Sequence, residues 1–158
     1  MKGIIIDEGE KYFTFLKKIF KSINDVQKKY NWLITSYECY PQNTKYVEKL
    51  SEEYCWITGE DLTEMVEKED FQWVWGVFSA FSKDVTEEEI LQYKLPRADG
   101  YDGFWKSPVS IQHPLAEIEI VAWDSSLTIF ISKDNAIADG IIKNNPLAKD
   151  LEEYNKEM

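Results

Sequence analysis

A chain of 158 residues with 29 Asp and Glu against 18 Lys and Arg carries a net charge of −11, one histidine (His113) and two cysteines, Cys39 and Cys55. That length suits one domain, residues 1–158, able to bury roughly two-thirds of its unfolded surface, and 44% hydrophobic residues argue against disorder. An acidic field of this sign repels phosphate backbones and anionic membrane surfaces, so nucleic acid and membrane are not expected partners, whereas a basic protein would be attracted.

Residues 2–6, ending in Ile4-Ile5-Ile6, read as a first strand, and Asp7 to Gly9 opens a helix. From Glu10 to Ile23 the apolar positions Phe13, Leu16, Ile19, Phe20 and Ile23 follow a 3.6-residue spacing, with Lys17, Lys18 and Lys21 on the other face. Asn31 to Tyr40 is rich in β-formers and stops at Pro41. A short helix over 44–53, a strand over 54–58 and an acidic helix over 60–68 follow.

Phe71 to Phe81 is the strongest strand. It is apolar on both faces, so it is expected at the sheet centre, covered on both sides, with Gly76 marking a bulge or close approach. Two-residue spacing predicts Trp73 and Trp75 on one face as core. Asp84 or Thr86 caps a helix over 87–93. Residues 95–114 break the pattern, holding Pro96, Gly100, Gly103, Pro108 and Pro114 with Tyr101, Phe104 and Trp105 between them. A loop this long is usually functional.

Residues 116–123 alternate, with Ile118, Ile120 and Ala122 on one face and Glu117, Glu119, Val121 and Trp123 on the other. Asp124 to Ser126 turn the chain into a second alternating strand, 127–132, closing a hairpin. Asp134 or Asn135 caps a helix to Asn144, and a last acidic helix covers 148–154. The expected fold is α+β: a mostly antiparallel sheet of five or six strands with helices mainly on one face.

Catalytic equipment is sparse. His113 has no companion for a triad beyond Ser107 and Ser110, which favours a structural imidazole. Cys39 and Cys55 lack redox or zinc spacing and read as small buried hydrophobes. Asp99 and Asp102 sit in a glycine-rich turn but lack calcium-loop spacing. No metal or cofactor is expected. Tyr101, Phe104 and Trp105, beside Arg97 and Lys106, resemble an interface hot spot, the alternative being that they fold back over the sheet. The carboxylate clusters Glu60, Asp61, Glu64, Glu67, Glu69 and Asp70, and Glu87, Glu88 and Glu89, could imitate a phosphate backbone or meet a basic surface, the alternative being a solvated helix face. The N-terminal apolar run is too short for a signal peptide and no stretch reaches the ~20 residues of a membrane span, so a cytoplasmic location is expected.

The segment Trp123-Asp124-Ser125-Ser126-Leu127-Thr128, followed by Ile131-Ser132-Lys133-Asp134, Pro146, Asp150-Leu151 and Tyr154-Asn155, resembles the ending of a group of small Gram-positive bacterial proteins. Some of these are similar to immunity proteins that neutralise toxins. The likeness covers the last third of the chain, with a looser match around Gly3, the first helix and Asn31-Trp32, and brings no catalytic residue. It implies an antitoxin role, an inhibitor of a basic toxin rather than an enzyme; the aromatic loop and the acidic helix, read from the residues themselves, make Tyr101, Phe104, Trp105, Glu64 and Glu67 the expected partner contacts. The alternatives are a small-ligand binder or enzyme using a pocket under the 95–114 loop, lined by Asp102, Trp105 and His113, and a self-associating module.

Overall fold

A computed structural model describes residues 1–158. Seven strands form one sheet: β1 (Lys2–Ile6), β2 (Tyr30–Cys39), β3 (Tyr54–Thr58), β4 (Trp73–Ser82), β5 (Ile118–Trp123), β6 (Leu127–Ser132) and β7 (Lys149–Asp150). Their order is β3-β2-β4-β5-β6-β1-β7, and every neighbouring pair is antiparallel. The class is α+β as the pattern predicts, with seven strands in place of five or six. The seventh, β7, is only two residues long and falls where the sequence reads as helix. No helix is long and apolar enough to cross a membrane.

Strand alternation builds a different layer on each side. On one face Ile4, Ile6, Trp32, Ile34, Phe78, Ile120 and Phe130 pack against α1 (Leu16–Ser22), α2 (Thr44–Lys49), α3 (Gly59–Lys68) and α5 (Asn135–Asn144). Each large side chain fully buried there contributes about 1.5–3 kcal/mol. On the other face Ile5, Val77, Val121, Ile129 and Ile131 lie under Ala98, Phe104 and Leu151. Beside them Leu33 and Phe81 lie under Ile90 and Ala116. That second cover is the 95–114 segment, hereafter the strap, with the short helices α4 (Glu87–Ile90) and α6 (Leu151–Lys156).

Local chemistry sets the boundaries. Thr58, Thr86, Asp134 and Asp150 cap the starts of α3, α4, α5 and α6 with side-chain oxygens, each satisfying a free helical N–H, and Thr86 with Glu89 completes a capping box. The first helix is shorter than its periodicity implies: Gly9 (φ 86°) and Thr14 (φ 63°) are left-handed, so residues 7–15 cannot be helical. Asn24 and Asp25, both left-handed, follow its end.

Two irregularities redirect the centre of the sheet. Thr35 pairs with Val77 and Glu38 with Trp75, so Ser36 and Tyr37 together oppose Gly76. This is a β-bulge, with Ser36 at φ 52°. A second register shift follows on β4: Cys39, next to Glu38, pairs with Trp73, so Val74 has no opposite residue on β2, and this corrects the expectation that Trp73 and Trp75 share a face. Trp73 joins the helix-side core, edge-on to Phe78 at 4.7 Å, while Trp75 stacks on Trp123 at 5.0 Å beneath the strap.

Candidate functional site

The bulge positions the strap. Ser36 Oγ accepts a hydrogen bond from Ala98 N (3.2 Å), tying the incoming strap to β2. Gln112 closes the loop on itself: its Oε1 accepts from Arg97 N and its Nε2 donates to Arg97 O, both at 2.9 Å. Between these points Phe104 is buried against the sheet, with Trp123 at 6.0 Å and Tyr101 at 4.7 Å. Trp105 stacks edge-on against Trp123 at 5.4 Å. From the far side Asn155 Nδ2 donates to Phe104 O (2.9 Å), and the Glu152 carboxylate accepts from Val109 N and Ser107 Oγ.

Under this cover lies Glu119, with no solvent exposure. Gln112 N donates to its Oε2 at 3.1 Å, while Oε1 has no partner. No cation faces it, so burial holds the proton on and pushes its pKa up to about 8. The register places Ser79 directly across from Glu119, and Thr35 lies diagonally beyond on the same face. Both hydroxyls are buried and unpartnered as well. Three hydrogen-bonding groups are thus gathered on one patch of an otherwise apolar face, against the rule that buried polar atoms are satisfied.

Gln112 links this patch to the surface. With Lys94, Leu95, Pro96, Arg97 and Tyr101 it lines an open cavity of about 180 Å³. Arg97 is the only arginine in the chain. Neither Arg97 nor Lys94 has a carboxylate within ion-pair distance, whereas Lys106 nearby is paired with Asp102 at 3.0 Å. The Tyr101 hydroxyl is pushed above its ordinary pKa, first by burial and then by the neighbouring Glu119. Two free cations at the rim, a phenol in the wall and a protonated acid behind Gln112 form a pocket that favours a small anion.

The residues expected from sequence are distributed differently. The wall of this pocket contains Tyr101 but not Asp102, Trp105 or His113. His113 is fully buried, between Phe81 and Tyr93 at 4.9 Å each. Its Nδ1 accepts from Leu115 N (3.2 Å) and its Nε2 donates to Ile90 O (3.0 Å). Burial pushes its pKa down, so it is a neutral brace for α4 with both nitrogens committed. Phe104 holds the strap down and Tyr101 and Trp105 are half-buried, all three on the strap side of the sheet, whereas Glu64 and Glu67 lie on α3 on the helix side, paired with Lys68 (2.9 Å) and Lys17 (3.5 Å). Cys55 is buried and Cys39 half-buried, with thiols pushed up to about 11 and about 12 chiefly by burial.

Glu119, Ser79, Thr35 and Gln112 escape a reading by motif. Glu119 alternates with Val121 and Trp123, and two large apolar neighbours on its own face signal that the face is covered. The same row holds Glu117, which is only half-buried, so the alternation does not single out Glu119 as the buried acid.

A seven-stranded antiparallel sheet, with four helices on one face and an aromatic strap and two short helices over a buried acid on the other, defines an α+β fold. The chain belongs to the family described as protein of unknown function DUF2691, whose model matches residues 1–155. No curated protein and no solved structure matches it.

Proposed function

We propose that this chain binds a compact anionic small molecule in the pocket between the strap and the sheet. The observation that carries the reading is Glu119: a buried, half-partnered acid, set with two unpartnered hydroxyls and joined through Gln112 to a cavity holding the only arginine. Such a group is costly to bury and concentrates at functional sites. Lys94 and Arg97 supply the charge that an anion needs, and Glu119, kept protonated, adds none that would repel it. Titration of the ¹⁵N-labelled protein with acetate and with inorganic phosphate tests the reading. It predicts amide shifts at Arg97, Tyr101 and Gln112, and at least about tenfold weaker binding in Arg97→Ala, as expected for loss of a charge-assisted contact. If neither anion shifts these amides, or the variant binds equally well, the reading fails.

A second reading, an acidic immunity-type protein that masks a basic toxin, is supported by where the uncompensated charge lies. Glu64 and Glu67 are neutralised by lysines, but Glu52, Glu53 and Glu88 are exposed and take part in no ion pair. Co-purification at low salt with the product of the adjacent gene tests it, and recovery of no basic partner removes it.

A further inference from the structure

We propose that the outer edge of β3 docks an extended, lysine- or arginine-rich segment of a partner protein by strand addition; this rests on the acidic-partner reading. β3 is the terminal strand of the sheet, and its residues pair only with β2. The other terminal strand is blunted: β7 has two residues, runs directly into α6, and carries Lys149 in ion pairs with Asp7 and Glu8. Natural sheets protect their edges in this way with short strands and lysine. β3 is five residues, Tyr-Cys-Trp-Ile-Thr, with no proline and no charge.

Beside that edge Tyr54 and Trp56 are half-buried and line a shallow groove of about 360 Å³ with Glu52, Glu53 and Glu87. The Trp56 ring is held 6.0 Å from Phe81, so it is a fixed platform. None of the three carboxylates has an ion-pair partner, while Glu60 close by is taken by Lys83 at 2.5 Å. An added strand would satisfy the free backbone groups, and its alternate side chains would lie over the aromatic rings and between the acids. Cationic side chains suit both positions. The charge also selects against self-pairing. Two β3 strands placed antiparallel would set Glu52 and Glu53 of one copy near Glu60 and Asp61 of the other, and like charges opposed across strands are destabilising.

The test uses a short peptide of alternating lysine and valine, titrated into the ¹⁵N-labelled full chain at low salt. The expected result is amide shifts concentrated on Tyr54–Thr58 and Glu87. Binding should weaken by at least about tenfold in Glu52→Lys/Glu53→Lys and again when salt is raised. The unbound variant's spectrum verifies its fold, and a glutamate–valine peptide should not bind. Shifts centred on Glu64 and Glu67 would overturn the edge assignment while leaving the acidic-partner reading standing. No binding at low salt would remove both. A dimer formed through β3, seen by sedimentation and abolished by the double variant, would also overturn the proposal.

Discussion

Glu119 and His113 are both buried and both neutral, and pH acts on them in opposite directions. Folded Glu119 keeps its proton up to about pH 8, whereas an unfolded glutamate loses it near about 4.3. Between those values the folded state holds more protons, so stability falls as pH rises, by up to about 1.4 kcal/mol per pH unit. His113 is held below its ordinary pKa, so it removes stability only as pH falls through the unfolded value of about 6.5. The interval from about 6.5 to 8 therefore belongs to Glu119. Urea midpoints should drop across it in the wild type and stay level in Glu119→Gln; a wild-type midpoint that rises across it contradicts the assignment. His113→Ala removes two buried hydrogen bonds and leaves a hole between Phe81 and Tyr93. It should cost about 3 kcal/mol by chemical denaturation and speed hydrogen exchange at Ile90–Tyr93. A cost below about 1 kcal/mol would mean that the imidazole is not the brace for α4.

Apart from one 3-10 turn at Gly103–Trp105 the strap is irregular, held by a few side-chain bonds rather than a ladder. Gln112→Ala deletes both bonds to Arg97 while leaving its own backbone N–H on Glu119. Trypsin cleavage after Arg97, an exposed position next to buried Ala98, should then accelerate several-fold at unchanged cleavage elsewhere; equal rates would show that the strap is pinned without the Gln112 side chain. At α3 the constraint is steric. A Cβ on Gly59 would lie 2.1 Å from Gln27 O and 2.6 Å from Tyr30 O, both backbone atoms, so Gly59→Ala should cost about 3 kcal/mol, measured by thermal or urea unfolding. Much of the fold is legible from periodicity: the hairpin, α3, α5 and the central place of β4 follow from spacing and caps. What is not legible depends on backbone geometry or on contacts distant in sequence. The left-handed Thr14 shortens α1 against its apolar spacing. The register shift at Val74, where adjacent Glu38 and Cys39 pair with Trp75 and Trp73, sends the two tryptophans to opposite faces despite their two-residue separation. β7 exists only because β1 offers it an edge. Glu119 reads as a surface acid until the strap that covers it is in place.

Across the whole molecule the negative charge is uneven. The helix side compensates many of its acids with lysines, the β3 edge leaves its carboxylates free, and the strap pocket gathers Lys94 and Arg97 in an otherwise acidic protein. The two surfaces thus favour ligands of opposite sign, a small anion at one and a cationic strand at the other. Only the first involves a buried titratable group, which gives it a signal of its own. An anion seated beside Glu119 disfavours its ionisation, so ligand binding and proton binding are coupled. The side-chain carboxyl ¹³C shift of Glu119, followed from about pH 4 to pH 10 with and without saturating acetate, reads this directly. The midpoint should lie near 8 without acetate and move upward with it; a midpoint near 4.5 that acetate leaves in place would contradict the account.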